Sequence, residues 1–140
     1  MTTSALENRL VETLHTEALL LADESNAYFG GLGREERDHL DPRARVLFAC
    51  EALKATTRLM QLIAWLTAHR AVRGPRGPLA EAALSDEPTL ATMPSTARRL
   101  ILAGIELHQR TRRLAESGEA SGVTAISPAR SLIERLEQAF

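Results

Sequence analysis

Residues 41–73 read DPRARVLFACEALKATTRLMQLIAWLTAHRAVR, with no glycine or proline after Pro42. Asp41 is a favourable N-cap residue and proline is favoured at the first helical position, whereas Gly74 and Pro75 are typical of a helix end. Such a helix is about 48 Å long at 1.5 Å per residue and too polar to span a membrane. Because it needs neighbours along its whole length, the sequence predicts a helical bundle.

This long helix carries apolar residues on more than one face. At 100° per residue, a first arc holds Val46, Ala49, Cys50, Leu53, Thr56, Met60, Ile63 and Ala64, and an adjoining arc holds Phe48, Leu59, Leu62 and Leu66. The two arcs cover well over half the circumference, whereas the apolar stripe of an ordinary surface helix is about 100° wide. The helix is therefore predicted to be central, with Leu53 and Met60 in the core.

A narrow polar stripe completes the circumference. It contains Arg43, Glu51, Lys54, Arg58, Gln61 and His69, and Leu47 and Trp65 fall inside it. Two interpretations fit these apolar residues: partial shelter by a curved helix, or contact with another chain, since tryptophan is enriched in interface hot spots. The second interpretation predicts an interface made of Leu47, Arg58, Gln61, Trp65 and His69.

Two further helices and two connections are predicted around the long helix. The first helix begins at Ser4, which forms a capping box with Glu7, and ends near Phe29, and residues 34–40 add a helical turn. Residues 74–94 hold four of the six prolines and are predicted to be an exposed connection with a short helix over 79–84. The third long helix starts at Pro94 or Ser95 and ends at Ser117, before Gly118. Its predicted inner face is Ala97, Leu100, Ile101, Gly104, Leu107, His108, Thr111 and Leu114.

The C-terminal residues are predicted to form a separate element. Residues 117–126 are small and polar and indicate a flexible linker, and Ser127-Pro128 begins a short amphipathic helix. That helix could dock on its own bundle, on another subunit or on a partner. Its apolar side, a candidate partner-binding tail, is Leu132, Ile133, Leu136 and Phe140. The predicted fold is all-α: an antiparallel three-helix bundle over residues 1–117, then the linker and helix over 118–140, with no sheet.

Arginines of the third helix form the main cluster of charge. Their outer-face positions indicate either a solvated surface or a basic patch for an acidic partner or nucleic acid. A net charge of −1 and a pI near 6.4 count against nucleic acid. The candidate basic patch is Arg98, Arg99, Arg110, Arg112 and Arg113.

No catalytic, metal or cofactor motif is recognisable. Glu12-x-x-His15 has the spacing used in di-iron bundles, but such sites need a second pair and two further glutamates. Cys50 is predicted to be a core residue, His15, His39 and His69 to point away from the core, and His108 to be a hydrogen-bonded core histidine. A start reading MTTSALENRL, a single cysteine and the lack of a long apolar run together predict a cytoplasmic protein without a signal peptide or membrane span.

Several stretches resemble the RcdA family, an alphaproteobacterial group named for "regulator of CtrA degradation" that is also known as a domain of unknown function. The resemblance spans roughly residues 15–116 and is most specific in the long helix. Its residues are TTRLMQ at 56–61, Trp65-Leu66, Arg70-Ala71-Val72, Ala27-Tyr28-Phe29, Met93-Pro94, Leu100-Ile101, Arg110 and Arg113-Leu114.

The resemblance implies a non-enzymatic, homodimeric three-helix bundle with a mobile tail. It further implies an accessory role in regulated proteolysis, in which the protein helps a ClpXP-type protease capture client proteins in cell-cycle control, together with a response-regulator-like adaptor. The family commonly has Gly-Glu after the Arg-Ala-Val stretch, whereas this chain has GPRGP at 74–78, so client identity does not carry over. The alternative hypothesis is a nucleic-acid-associated regulator that uses the third-helix arginines.

Overall fold

The computed structural model describes the backbone of residues 2–71 and 77–139, and the side chains of residues 5–70, 77–117 and 135–139. Its elements are α1 (Thr2–Gly30), α2 (Leu32–Asp38), α3 (Pro42–Ala71), α4 (Glu87–Ala91) and α5 (Ser95–Ala139). Within the described residues there is no strand, and the all-α prediction is confirmed. Over the same ranges, none of the helices has the length and apolar character required to cross a membrane.

The start of α3 follows from its first residues. The Asp41 carboxylate accepts a hydrogen bond from the Ala44 backbone N–H at 2.8 Å, and the Asp41 carbonyl accepts one from Arg45 N at 2.9 Å. This is the N-cap arrangement that satisfies otherwise unpaired N–H groups of a first helical turn. The predicted cap is therefore confirmed, and α2 confirms the helical turn that was predicted before it.

The three long helices do not all alternate in direction. Glu12 of α1 pairs with Arg70 near the end of α3, at 2.8 Å, so α1 and α3 are antiparallel. Glu24 near the end of α1 pairs with Arg99 near the start of α5, at 2.6 Å, so α1 and α5 are antiparallel as well. It follows that α3 and α5 run parallel to each other, which corrects the antiparallel arrangement predicted for the bundle. The connection between them must return along the length of the bundle, and this explains why it is long.

The core lies between α1, α3 and α5, with its largest aliphatic cluster towards one end and aromatic residues at the other. Leu62, Leu66 and Leu107 are almost completely buried in the largest cluster. Tyr28, Phe29 and Phe48 pack edge to face at the other end, with ring centroids 5.0 and 5.7 Å apart. All eight residues of the predicted inner face of α5 are buried, which confirms that part of the prediction.

The face that α3 turns to the core differs from the prediction. The first predicted core arc is largely exposed: Val46, Leu53 and Met60 are 62%, 68% and 66% exposed, and Cys50 is exposed too. The second arc is buried, and so are Glu51, Arg58 and His69 of the predicted polar stripe. Both arcs are apolar, so the pattern could not say which one faces α1 and α5. The placement of Leu53, Met60 and Cys50 in the core was therefore wrong.

Two local predictions are also corrected. Residues 79–84 are not helical, because their backbone carbonyls bond to side chains of α3 and α5, and the short helix lies at Glu87–Ala91 instead. The helix predicted to end before Gly118 continues as α5 to Ala139. Glycine and proline weaken a helix but do not always end it, and the intervening alanines favour the helical conformation.

The division at residue 117 and the partner-binding tail remain predictions. Leu136 is half exposed, whereas the side chains of Leu132, Ile133 and Phe140 lie outside the described residues.

Candidate functional site

An extended segment, residues 77–86, lies against α3 and α5, and we call it the strap. It runs opposite to α3: Gly77 contacts Trp65, and Ser85 contacts Glu51. Eight residue steps along the strap thus span fourteen residue steps of α3, about 21 Å at the helical rise of 1.5 Å per residue. The strap is therefore much more extended than a helix, as a crossover along the bundle requires.

Side chains of the helices hold the strap by its backbone carbonyls. Trp65 Nε1 donates to Gly77 O at 3.0 Å, and Arg58 Nη2 donates to Ala83 O at 2.9 Å. From α5, His108 Nε2 lies 3.0 Å from Ala80 O. A carbonyl oxygen can only accept, so this histidine nitrogen must carry the proton. A fourth donor, Lys54 Nζ, reaches Leu84 O at 3.0 Å.

The strap bonds to Trp65 and Arg58, two of the residues that were predicted to form an interface. Arg58, Trp65 and His69 are buried within the chain, and Leu47 and Gln61 are partly buried. The His69 ring stacks on the Trp65 indole with centroids 3.7 Å apart, and its Nδ1 lies 2.6 Å from Trp65 O. Within the chain, Arg58 and Trp65 of this stripe already bond to the strap, and an interface of the stripe with another chain stays a prediction. His15 is buried as well, contrary to the prediction, and bonds to Thr67 at 3.1 Å.

Buried charge lies beneath the second half of the strap. The Glu51 carboxylate receives Lys54 Nζ at 3.0 Å and the Ser85 hydroxyl. Burial lowers the pKa of the Arg58 guanidinium, and the nearby charge of Glu51 opposes this. Arg58 Nη1 is buried with no hydrogen-bond partner among the described residues.

His108 lies beside this buried charge and keeps its neutral form. Burial lowers its pKa, the bond to Ala80 O opposes this, and the charges of Arg58 and Arg112 lower it further. A cavity of about 310 Å³ opens between the strap and the two helices, with Arg58, His108 and Arg112 in its wall. The bond from His108 confirms the prediction of a hydrogen-bonded core histidine.

The opposite side of α3 presents an exposed apolar surface, which we call the α3 stripe. Its members are Val46, Ala49, Cys50, Leu53, Thr56, Met60 and Ala64. The three largest, Val46, Leu53 and Met60, are spaced seven residues apart, which is the heptad repeat of a helix that packs against another helix. The stripe therefore has the pattern of a buried seam but no covering element within the described chain.

Most arginines of the candidate basic patch are paired with acids. Arg99 pairs with Glu24 at 2.6 Å, and Arg110 pairs with Glu17. Arg112 reaches Glu81 of the strap at 3.0 Å and Glu116 at 3.2 Å, and these two acids raise its pKa. Arg98 and Arg113 are exposed. The patch is therefore a set of alternating charges that joins α5 to α1 and to the strap.

Glu12 and His15 are engaged in structural contacts. Arg70 donates to Glu12 at 2.8 Å and lies 3.4 Å from the second ring nitrogen of His15. Among the described residues, no group of three or more histidine, cysteine, aspartate or glutamate side chains is arranged to hold a metal ion.

Comparison with known proteins supports the resemblance found in the sequence. Residues 2–140 match the family described as "Protein of unknown function (DUF1465)". The crystal structure of RcdA from Caulobacter crescentus CB15 is similar to this chain, with a TM-score of 0.63 and 29% sequence identity, over 79% of this chain and 92% of that chain. No curated protein sequence matches the chain.

Proposed function

The chain belongs to the family described as protein of unknown function DUF1465, and from this premise we propose that it is a non-enzymatic adaptor for regulated proteolysis in the cytoplasm. The similarity to RcdA and the family resemblance in the sequence support this role. In it, the protein binds a ClpXP-type protease complex, a response-regulator-like adaptor and client proteins that are degraded during the cell cycle. It uses no cofactor, because its work is to hold proteins together.

The observation that carries the proposal is the α3 stripe. Apolar side chains at heptad spacing are normally buried in a seam, yet Val46, Leu53 and Met60 are each more than half exposed. Contiguous exposed apolar surface of this kind marks a site for another protein. The stripe lies on α3, a long helix packed against α1 and α5, so a partner bound there is held by a rigid element.

We propose that the first partner of the α3 stripe is a second copy of the chain. In a two-fold dimer the same patch is used on both subunits, which a single self-complementary heptad stripe satisfies. Leu53→Asp combined with Met60→Asp should convert a dimer into a monomer at tens of micromolar, because each change would bury an unpaired carboxylate in the seam. Light scattering measures the result, with circular dichroism to show that the helices persist.

Leu20→Asp is the matched control for this dimer, because Leu20 is 65% exposed but lies on α1. It should leave the dimer intact. Cys50, the sole cysteine and part of the stripe, gives a second readout, since its labelling by a thiol reagent should slow as protein concentration rises. A monomeric wild-type protein, or an equal effect of Leu20→Asp, would show that the stripe is not the dimer interface.

The adaptor role is tested in two steps. Recovery of a Clp-type ATPase from native cytoplasm on immobilised wild-type protein, but not on the Leu53→Asp, Met60→Asp variant, is the expected first result. In the second step, a client protein recovered in the same experiment is degraded in a reconstituted protease assay, with and without the chain. Faster degradation with the chain is expected; an unchanged rate would refute the proposal.

The C-terminal residues are proposed to respond to partners. A chain ending at Ser117 should keep the bundle folded, because the described core clusters lie entirely before that residue, yet deliver the client more slowly. Circular dichroism melts and the degradation assay measure the two halves of this prediction. A large fall in melting temperature would place the tail in the core, and an unchanged rate would make it dispensable.

The nucleic-acid alternative makes a different prediction. Phosphate contacts weaken steeply with salt, whereas an apolar interface does not. Because Arg99, Arg110 and Arg112 are already paired with glutamates, binding to DNA or RNA would have to compete with these pairs. Measuring partner binding between about 50 and 200 mM salt separates the two functions.

A further inference from the structure

We propose that the surface of α3 and α5 beneath the strap is a groove for an extended peptide, and that the strap is its resident occupant. The partner is a segment with three residues per turn that carries an apolar residue at the first inward position and an acidic residue two positions later. The inference deepens the proposed function and rests on it for the claim that such peptides come from clients. Peptide binding itself can be measured without any protease.

Carbonyls and side chains of the strap both show a three-residue spacing, apart from a fourth carbonyl, that of Leu84, which bonds to Lys54. The carbonyls of Gly77, Ala80 and Ala83 receive hydrogen bonds from helix side chains. The side chains that turn inward are those of residues 79, 82 and 85, whereas the residues between them are exposed. A spacing of three residues is that of a polyproline II helix, whose carbonyls remain free for recognition. Pro78 favours that conformation.

The donors of the groove recognise main chain rather than sequence. Trp65, Arg58 and His108 come from two helices and contact the strap through backbone oxygens. Any extended segment presents such oxygens at the same spacing. Aromatic side chains that donate to a polyproline II segment are a recurring way to bind peptides, and the stacked His69 ring fixes the Trp65 indole in place. Arg58 Nη1, buried and without a partner among the described residues, is a further donor for an occupant.

Two side-chain positions define the occupant. Leu79 is 7% exposed and joins the largest core cluster, so the first inward position takes a leucine-sized group. Glu81 pairs with Arg112 at 3.0 Å, so a carboxylate two residues later has a cation to meet. The later inward positions hold Ala82 and Ser85, which are partly buried and line the cavity of about 310 Å³.

An external peptide must compete with the strap, which is covalently linked to the helices and therefore present at a high effective concentration. The strap is anchored chiefly by Leu79, because its other large side chain, Leu84, is 90% exposed. Removing the Leu79 anchor should therefore open the groove, whereas the same change at Leu84 should not. This pair of leucines separates strap release from any general effect of a leucine-to-alanine change.

The test uses the full chain and a fluorescent peptide with the strap sequence GPLAEAALSD. In fluorescence anisotropy, Leu79→Ala should bind the peptide at least tenfold more tightly than wild type, and Leu84→Ala should match wild type. Adding Trp65→Phe to Leu79→Ala should weaken binding several-fold, because the ring remains but the donor to the first carbonyl is lost. Changing the peptide leucine that corresponds to Leu79 to aspartate should abolish binding.

Equal peptide affinity of wild type and Leu79→Ala would overturn the proposal. So would a peptide affinity that neither Trp65→Phe nor the leucine-to-aspartate change in the peptide alters. Circular dichroism checks that each variant folds. If Leu79→Ala does not fold, Glu81→Ala takes its place, because it breaks only the exposed pair with Arg112 and should raise peptide affinity about threefold. Affinity equal to that of wild type would then overturn the proposal. A negative result in the peptide experiment would not contradict the adaptor role, because the pull-down experiment tests the α3 stripe and not the groove.

Discussion

Leu62→Ala should lower the free energy of unfolding by about 2–5 kcal/mol, the range for removing a large buried aliphatic group and leaving a cavity. Leu62 is fully buried on α3, in the cluster that joins all three long helices. For a domain of this size, such a loss lowers the melting temperature by several degrees per kcal/mol. Denaturant unfolding followed by circular dichroism gives the free energy directly.

Leu53→Ala is the matched control, because it makes the same chemical change nine residues earlier on the same helix, at a side chain that is 68% exposed. Its effect should stay within about 0.5 kcal/mol, as for most surface substitutions. Since Leu53 belongs to the proposed dimer interface, both variants should be measured in a Met60→Asp background, at a protein concentration where light scattering shows a monomer. Equal destabilisation by the two variants would mean that α3 is rotated from the orientation described here.

Those features of the fold that local chemistry decides could be predicted from the sequence. The Asp41 cap needs only a carboxylate at the right distance from the first free N–H groups, and it forms as predicted. The inner face of α5 was predicted correctly because only one face of that helix is apolar. The family resemblance was carried mainly by residues of α1, α3 and α5, some of them buried, such as Trp65 and Leu100, and others exposed, such as Thr56.

The rotation of α3 could not be predicted, because it depends on which elements come to cover a helix that is apolar on two arcs. The strap decides it. The strap bonds to Arg58 and Trp65 on one side of α3, where Glu51 and His69 are also buried, and the first apolar arc is left exposed. Irregular segments bind through backbone groups that every residue shares, so the residue types of the strap carry no simple signal of its position.

One residue of the candidate site did give a usable signal. Trp65 stands alone among polar neighbours, and the sequence indicated that something must cover it. The two interpretations were partial shelter by a curved helix and contact with another chain. In the structure the indole is buried within its own chain and bonds to Gly77 O. The signal identified a covered site but not its occupant, since an indole N–H donates equally well to a partner's carbonyl and to Gly77 of the same chain.

Glu51→Gln should destabilise the protein by about 3 kcal/mol, near the lower end of the range for removing one member of a buried ion pair. The Glu51 side chain is only 3% exposed, and the change leaves Lys54 and the buried Arg58 guanidinium without their neighbouring negative charge. Lys54 is 35% exposed and regains some water, which places the effect below the upper limit. Glutamine keeps the size of glutamate, so the loss reports charge rather than packing.

Glu24→Gln is the decisive comparison, because Glu24 forms the shorter ion pair of the two, 2.6 Å from Arg99 against 3.0 Å for Glu51 and Lys54. The side chains of Arg99 and Glu24 are 60% and 50% exposed, so water replaces the lost contact and the expected change in the free energy of unfolding is below about 1 kcal/mol. Burial rather than distance should therefore rank the two variants in denaturant unfolding. A larger loss for Glu24→Gln than for Glu51→Gln would show that the strap does not bury Glu51 in solution, and the peptide groove would then stand open in the wild-type protein.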